Sequence, residues 1–149
     1  MCSSDLPAHV LDLYCGSGFF SIPLAQQCQE LIGIESSRIA VHQARKNARA
    51  NGVENAKFHE GEVADLLKGT KIRPDLVVLN PPRTGAGKEA AGVIADLQAR
   101  RIVYVSCNPS TFAREAAILC SKGYRLTQIT MIDQFPNTYH IELAAAFSL

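Results

Sequence analysis

Residues 10–19 read VLDLYCGSGF, an apolar run that ends in a turn with two glycines. Val10 to Tyr14 predicts a buried β-strand, and Gly16 and Gly18 allow a tight turn from this strand into a helix. A strand followed by a glycine turn and a helix is the first half of a βαβ unit. This stretch decides the fold class, because the same alternation continues along the chain.

Apolar, β-branched runs alternate with helical stretches in the rest of the sequence. Helices are predicted over Ser37 to Asn51 and Thr111 to Lys122, each followed by a glycine that can adopt the left-handed cap conformation. The runs Tyr124 to Ile132 and Tyr139 to Phe147 predict an antiparallel hairpin at one sheet edge. The fold class is therefore α/β, a doubly wound, mostly parallel sheet with a C-terminal antiparallel hairpin. Besides Val10 to Tyr14, the predicted parallel strands are Glu30 to Ile34, Ala56 to Phe58, Asp75 to Leu79 and Ile102 to Val105.

The composition fits one domain with a sizeable core, since the 149 residues are 47% hydrophobic. Residues 7–149 are assigned to this domain, and residues 1–6, which carry no fold signal, to an unstructured leader. The 15 Lys and Arg against 14 Asp and Glu give a net charge of +1. A stand-alone nucleic-acid binder usually carries a clear positive excess, so we expect weak affinity for RNA.

The five cysteines are odd in number, irregularly spaced and without a CxxC pair. Neither a disulfide framework nor a metal site is predicted from them. No apolar run reaches the roughly 18 residues that a membrane-spanning helix needs. These features predict a reduced, cytoplasmic protein that does not enter the membrane. The chain is expected to be monomeric.

The glycine turn has the features of a nucleoside site. Position 21 is serine, where the dinucleotide fingerprint GxGxxG requires Gly or Ala, so a ligand without phosphates on this helix is favoured. Glu35 ends the second strand, from which a carboxylate can bind the hydroxyls of an adenosine ribose. Gly16, Gly18 and Glu35 together indicate S-adenosylmethionine as the cofactor.

Two further strand ends carry polar candidates for the same crevice. Glu62 follows the third strand, where it could hydrogen-bond the adenine or be an ordinary exposed acid. Asn80 follows the fourth strand and precedes Pro81 and Pro82, which stiffen the loop and project the Asn80 amide. A proline-rich strand exit explains the prolines alone but leaves the polar Asn80 unexplained.

The pentapeptide of residues 106–110, SCNPS, places Cys107 between a predicted strand and a predicted helix. Ligands bind at such strand ends in open α/β sheets. Free backbone N–H groups and the positive end of the helix dipole favour a thiolate there. A cysteine at a strand end is otherwise a small buried hydrophobe, which is how Cys15, Cys28 and Cys120 are interpreted.

From Leu6 onwards the chain resembles the catalytic domain of the RNA uracil-5-methyltransferase family, which makes 5-methyluridine in transfer RNA and 23S ribosomal RNA. The last two of the matching motifs are the specific ones. The motifs are Asp12 to Gly18, Gly33 to Glu35, Asn80 to Arg83 with Gly85 and Gly87, Ser106 to Pro109, and the pattern DxFPxTxHxE over residues 133–142.

The resemblance implies a Rossmann-like class I methyltransferase with Cys107 as nucleophile and Glu142 as the base that removes a proton. It adds Tyr14 to the cofactor-binding residues and makes RNA the partner. Arg83 is expected to bind an RNA phosphate or to support its loop, and His140 to orient Glu142 or contact the uracil. Strand alternation would place His140 and Glu142 on the same face.

The run NPPRTGAGK, residues 80–88, resembles the ribosomal branch of the family and favours 23S ribosomal RNA over transfer RNA. Full-length relatives carry an N-terminal RNA-binding barrel, and a glutamine that contacts the cofactor upstream of the first strand has no match here. The chain is therefore expected to be a fragment that folds but binds RNA poorly and has low activity alone.

Three other functions remain open. An amino-group methyltransferase shares the Asn-Pro-Pro loop, although its loop continues with an aromatic where this chain has Arg83. A non-catalytic module could bind RNA or the cofactor without reacting. A cysteine hydrolase is the weakest alternative, because no histidine is evidently paired with Cys107.

Overall fold

The computed structural model describes residues 6–134 and 136–149, in which strands and helices alternate. The predicted leader, apart from Leu6, and Phe135 of the hairpin loop lie outside the described residues. The strands are β1 (His9–Leu13), β2 (Glu30–Glu35), β3 (Ala56–Glu60), β4 (Leu76–Leu79), β5 (Arg101–Ser106), β6 (Arg125–Ile132) and β7 (Glu142–Ser148). The helices are α1 (Ser21–Ala25), α2 (Arg38–Ala50), α3 (Val63–Leu67), α4 (Lys88–Asp96) and α5 (Pro109–Ser121).

The seven strands form one sheet in the order β3-β2-β1-β4-β5-β7-β6. The first five strands are parallel, and β7 runs antiparallel to both of its neighbours. The predicted α/β class, doubly wound sheet and edge hairpin are confirmed. The chain passes from β5 to β6 before β7, so β7 enters between them and leaves β6 at the edge.

The helices cover the two faces of the sheet and create two apolar cores. The larger core lies under α4 and α5, where Leu79, Tyr104 and Phe147 are at most 2% exposed. The smaller core lies under α1 and α2 and is centred on Leu31 and Val41. Burial of each large apolar side chain contributes about 2 kcal/mol, which holds the sheet and helices together.

The predicted helices begin and end for local reasons. The Ser37 hydroxyl accepts a hydrogen bond from Ala40 N–H and caps α2, which ends before Gly52 with its φ of +66°. Asn108 is the N-cap of α5, and Pro109 lies in its first turn. Backbone N–H groups of the first turn have no acceptor within the helix, so the missing N–H of Pro109 costs no hydrogen bond. The start of α5 therefore fixes the chain directly after Cys107.

No helix among residues 6–134 and 136–149 is long and apolar enough to cross a lipid bilayer. The edge strand β6 is exposed along its whole length, including Leu126, Ile129 and Met131.

Candidate active site

The carboxyl ends of β1 and β4 form the crevice of this sheet. These two strands are neighbours. From β1 the chain continues to β2 and β3 on one side, and from β4 it continues to β5 on the other. Ligands of open α/β sheets bind at such a switch point. The loops after β1, β2, β4 and β5, which carry most of the predicted site residues, all end at this edge.

The glycine turn and Glu35 meet as the sequence predicts. Gly16 and Gly18 have φ angles of +54° and +90°, which favour glycine. The Gly16 N–H donates a 3.0 Å hydrogen bond to Glu35 Oε2, and Ser37 N–H donates one of 2.8 Å to Oε1. The carboxylate at the end of β2 is therefore held against the turn after β1.

Asp12 lies beneath this turn and was not predicted to be a site residue. It is 1% exposed, and its Oδ2 accepts a 2.5 Å hydrogen bond from the Ser21 hydroxyl. Its Oδ1 is buried and has no hydrogen-bond partner among the described residues. Burial raises the pKa of Asp12 to about 6, while the Ser21 hydrogen bond acts in the opposite direction. A buried acceptor without a donor is costly, so a ligand donor here would be stabilising.

Tyr14 spans the crevice from β1 towards the loop after β4. Its backbone has a positive φ of 59°, and its hydroxyl donates a long, 3.5 Å hydrogen bond to the carbonyl oxygen of Ala86. Burial, followed by the charges of Glu115 and Glu62, raises the pKa of Tyr14 to about 12. Glu62 is the N-cap residue of α3, and its side chain is exposed.

Asn80 and Arg83 belong to the loop after β4. Asn80 N–H donates to the carbonyl oxygen of Leu13, and the exposed Asn80 side chain lies next to the end of β1. The Arg83 carbonyl accepts hydrogen bonds from the Asn108 amide at 3.1 Å and from the Thr111 hydroxyl at 3.4 Å. The loop after β4 is therefore tied to the start of α5.

Cys107 is half-buried between β5 and α5, as the sequence predicts. The residues on either side of it bond each other, since Asn108 N–H donates to Ser106 Oγ at 3.1 Å and Ser106 Oγ donates to the Asn108 carbonyl at 3.0 Å. This pair fixes the backbone at Cys107. At the glycine turn, burial and the nearby Asp12 and Glu35 raise the pKa of Cys15 to about 12 and keep it a thiol.

Cys107 and Glu142 come from two strands that pair with each other. The β5–β7 ladder ends with Ser106 opposite Leu143. Cys107 follows Ser106 and Glu142 precedes Leu143, so both lie one residue beyond this pair at the same end of the ladder. Pairing of β5 with β7 thus brings Cys107 and Glu142, which are 35 positions apart in the sequence, to the same end of the ladder.

Strand alternation does not extend to His140. Strand β7 begins at Glu142, three residues later than predicted, so the predicted common face of His140 and Glu142 no longer follows from the strand. His140 Nδ1 lies 3.3 Å from Arg83 Nη1. Because a guanidinium only donates hydrogen bonds, the contact uses the Nδ1 lone pair. Arg83 and His140 are therefore neighbours at the mouth of the crevice.

Sequence reasoning missed the roles of Asp12 and Asn108. An acidic residue in an otherwise apolar strand is a signal for Asp12, and Asn before Pro at a helix start is a signal for the cap. Among the described residues, no three metal-binding side chains come together as a metal site would require. The described cysteines, Cys15, Cys28, Cys107 and Cys120, are free thiols.

The fold and crevice define a class I methyltransferase domain, as solved structures show. A crystal structure of Pyrococcus abyssi tRNA (uracil-54, C5)-methyltransferase in complex with S-adenosyl-L-homocysteine superposes with a TM-score of 0.82 at 34% identity. The match covers 97% of this chain and 36% of that one. Magnesium protoporphyrin IX methyltransferase from Synechocystis, with bound S-adenosylmethionine, shares the fold at a TM-score of 0.72 and 22% identity, over 98% of this chain and 73% of that one.

The chain belongs to the tRNA (uracil-5-)-methyltransferase family, whose model matches residues 2–148. The 23S rRNA (uracil(1939)-C(5))-methyltransferase RlmD of Pseudomonas putida is 46% identical over 141 residues, which are 93% of this chain and 31% of that protein. An uncharacterized RNA methyltransferase of Caldanaerobacter subterraneus is 44% identical over 134 residues, 90% of this chain and 30% of that protein. The chain spans about a third of the length of these curated relatives.

Proposed function

We propose that this domain transfers a methyl group from S-adenosylmethionine to carbon 5 of a uridine in RNA through a covalent adduct with Cys107. The observation that carries the proposal is the placement of Cys107 and Glu142 at one end of the β5–β7 ladder. A nucleophile and a base on neighbouring strands can act on adjacent atoms of one ring.

The residues of the crevice fit the cofactor. The buried Asp12 Oδ1 offers an acceptor that lacks a donor, and Glu35 presents its carboxylate beside the glycine turn. Tyr14, Glu62 and Asn80 would complete the cofactor-binding residues around Gly16 and Gly18. Bound S-adenosylmethionine supplies an electrophilic methyl group.

Cys107 and Glu142 act on two adjacent carbon atoms of the uracil ring. The thiolate of Cys107 forms a bond to carbon 6, and the ring electrons that this displaces make carbon 5 nucleophilic. Once carbon 5 carries both methyl and hydrogen, Glu142 removes the proton at carbon 5. The electron pair left at carbon 5 re-forms the ring double bond, and the carbon–sulfur bond breaks to release Cys107.

Ribosomal RNA is the proposed substrate, with 23S favoured over transfer RNA. The relatives named as 23S rRNA methyltransferases support this RNA class, together with the NPPRTGAGK run over residues 80–88. Arg83 and His140, in contact with each other at the mouth of the crevice, would bind the RNA.

The test is incubation with S-adenosylmethionine and RNA that contains 5-fluorouridine, with 23S ribosomal RNA and transfer RNA in parallel. Fluorine at carbon 5 cannot leave as a proton, so the adduct persists and mass spectrometry should locate it on Cys107. We expect Cys107→Ala to abolish the adduct and Cys120→Ala, which removes an exposed free thiol elsewhere, to retain it. Methyl transfer to an exocyclic amine by Cys107→Ala protein would instead identify an amino-group methyltransferase.

A further inference from the structure

Glu115 is a fully buried carboxylate on α5 that the proposed chemistry does not use. Its Oε1 accepts a 2.9 Å hydrogen bond from Gly87 N–H, and its Oε2 accepts one of 3.0 Å from Ala86 N–H. Oε2 also accepts a 2.5 Å hydrogen bond from the hydroxyl of Tyr104 on β5. One carboxylate thus joins α5 and β5 to the loop after β4.

The loop is shaped around this carboxylate. Gly85 has a φ of +83°, and a Cβ atom added there would lie 2.2 Å from Glu115 Oε1. Only a residue without a side chain allows the backbone to approach so closely. Gly87 is the N-cap residue of α4 and offers no side-chain cap, so Glu115 supplies the negative charge near the positive end of that helix.

The same loop carries Arg83, which has its own partners. The Arg83 carbonyl accepts from Asn108, and the Arg83 guanidinium contacts His140. Residues 81–87 are therefore fixed at two points, at Arg83 by the N-cap residue Asn108 and at Ala86 and Gly87 by Glu115 of α5.

We propose that Glu115 is a positioning residue that holds residues 81–87 in the shape that presents Arg83 to the substrate RNA. This inference rests on the proposed function for its substrate. Glu115 itself is completely buried and reaches the substrate only through the loop.

The charge of Glu115 is essential to this role, since a carboxylate accepts on both oxygens. In Glu115→Gln, one oxygen becomes an NH₂ group that faces a backbone N–H donor. At least one of the hydrogen bonds from Ala86, Gly87 and Tyr104 is then lost although the volume is unchanged. Burial and the bond to Glu115 raise the pKa of Tyr104, so its hydroxyl stays a donor.

The experiment measures methylation of 23S ribosomal RNA by the full-length protein, and measures cofactor binding by calorimetry. We expect Glu115→Gln to lower kcat/KM for RNA about tenfold or more, because small misplacements have large effects on rate. The Kd for S-adenosylmethionine should change less than about twofold. This is far less than a tenfold change in Kd, which corresponds to about 1.4 kcal/mol. The Arg83→Ala, Glu115→Gln double variant should be no slower than Arg83→Ala alone.

A purely structural role would give a different pattern, in which the losses of the two single variants multiply in the double variant. That outcome, or an equal loss of cofactor affinity, would overturn the proposal. Gly85→Ala, which pushes the loop off an intact carboxylate, should give the same kinetic pattern as Glu115→Gln. It keeps the test decisive if Glu115→Gln does not fold.

Amide hydrogen exchange of the ligand-free protein tests the loop contact without any substrate. Glu115→Gln should speed exchange at Ala86 and Gly87, while Tyr104→Phe, which keeps both loop hydrogen bonds, should leave these two amides protected. Unchanged exchange in Glu115→Gln would refute the inference. Absence of RNA methylation by the wild-type protein would instead count against the proposed function alone.

Discussion

The side-chain amide of Asn108 donates a 3.1 Å hydrogen bond to the carbonyl oxygen of Arg83, while its Oδ1 accepts from Ser110 and Thr111 N–H. One side chain thus caps α5 beside Cys107 and anchors the loop that carries Arg83. The amide supplies a donor and an acceptor at once, whereas the carboxylate of an Asp only accepts.

Asn108→Asp should separate the two roles. Asp keeps the acceptor for the helix cap, so α5 remains capped. It places a carboxylate oxygen next to the Arg83 carbonyl and loses the hydrogen bond to it, so RNA methylation should fall. Asn108→Ala should lose both, with about 1 kcal/mol less stability than Asn108→Asp from the missing cap. Urea unfolding and kcat/KM for RNA measured on both variants check this. Equal activity of Asn108→Asp and wild type would show that the anchor to Arg83 is dispensable.

Glu142→Gln should stop the reaction after the covalent step. The variant keeps the shape of the side chain but cannot take the proton from carbon 5, so turnover should fall by about 10²- to 10⁴-fold. A methylated adduct of protein and ordinary RNA should accumulate and be visible on a denaturing gel. Glu54→Gln, an exposed acid between α2 and β3, serves as the control and should release product normally. Release of product by Glu142→Gln at the wild-type rate would exclude Glu142 as the base.

Asp12 should make cofactor binding depend on pH. Burial raises its pKa from 3.8 to about 6, so the affinity for S-adenosylmethionine should fall as the pH is lowered through about 6 and the carboxylate takes up a proton. Asp12→Asn should bind weakly with little dependence on pH. Calorimetry between pH 5 and 8 measures both, and identical pH profiles for the two proteins would contradict the role of Asp12.

The stability of the protein should show the opposite pH trend. Because the folded-state pKa of Asp12 is raised, the folded state binds more protons than the unfolded state between pH 3.8 and about 6. The free energy of unfolding should therefore decrease as the pH rises through this window, by an amount on the order of 2–3 kcal/mol. Asp12→Asn should lack this component in urea unfolding measured across the same window. A wild-type curve parallel to that of Asp12→Asn would rule it out.

Arg83→Ala should weaken RNA binding in a salt-dependent manner. If Arg83 binds a phosphate, the slope of log K against log salt concentration should fall by about one. If it only supports the loop, affinity should fall without a change in slope. Arg73→Ala, an exposed arginine that precedes β4 at the opposite end of the sheet, should leave both quantities unchanged. Filter binding at four salt concentrations distinguishes these results.

The sheet could be predicted from sequence because its strands are locally encoded. The runs that predict β1 to β5 match the observed strands within two residues at each end. In β1 and β4, burial on both faces leaves a continuous hydrophobic pattern. The insertion of β7 between β5 and β6 has no local signal. It follows from pairing across the chain, and it determines which residue lies opposite Ser106.

The positions of Glu35, Asn80 and Cys107, at or directly after strand ends, could be predicted from sequence, and their roles stay predictions. Alternation could not place His140, because the chain between Pro136 and Ile141 is not a strand. Glu115 had a signal that was not used. It shares the buried face of α5 with Phe112, Ala116 and Leu119, and a charged residue on such a face requires partners.

The interior position of β7 also orders events during protein synthesis. Cys107 leaves the ribosome before Glu142, and the two reach the same end of the ladder only when β7 pairs with β5. Under the proposed mechanism, a chain that stops short of residue 142 would carry the sulfur nucleophile without the base. Such a chain would lack the group that the mechanism requires for release of the RNA.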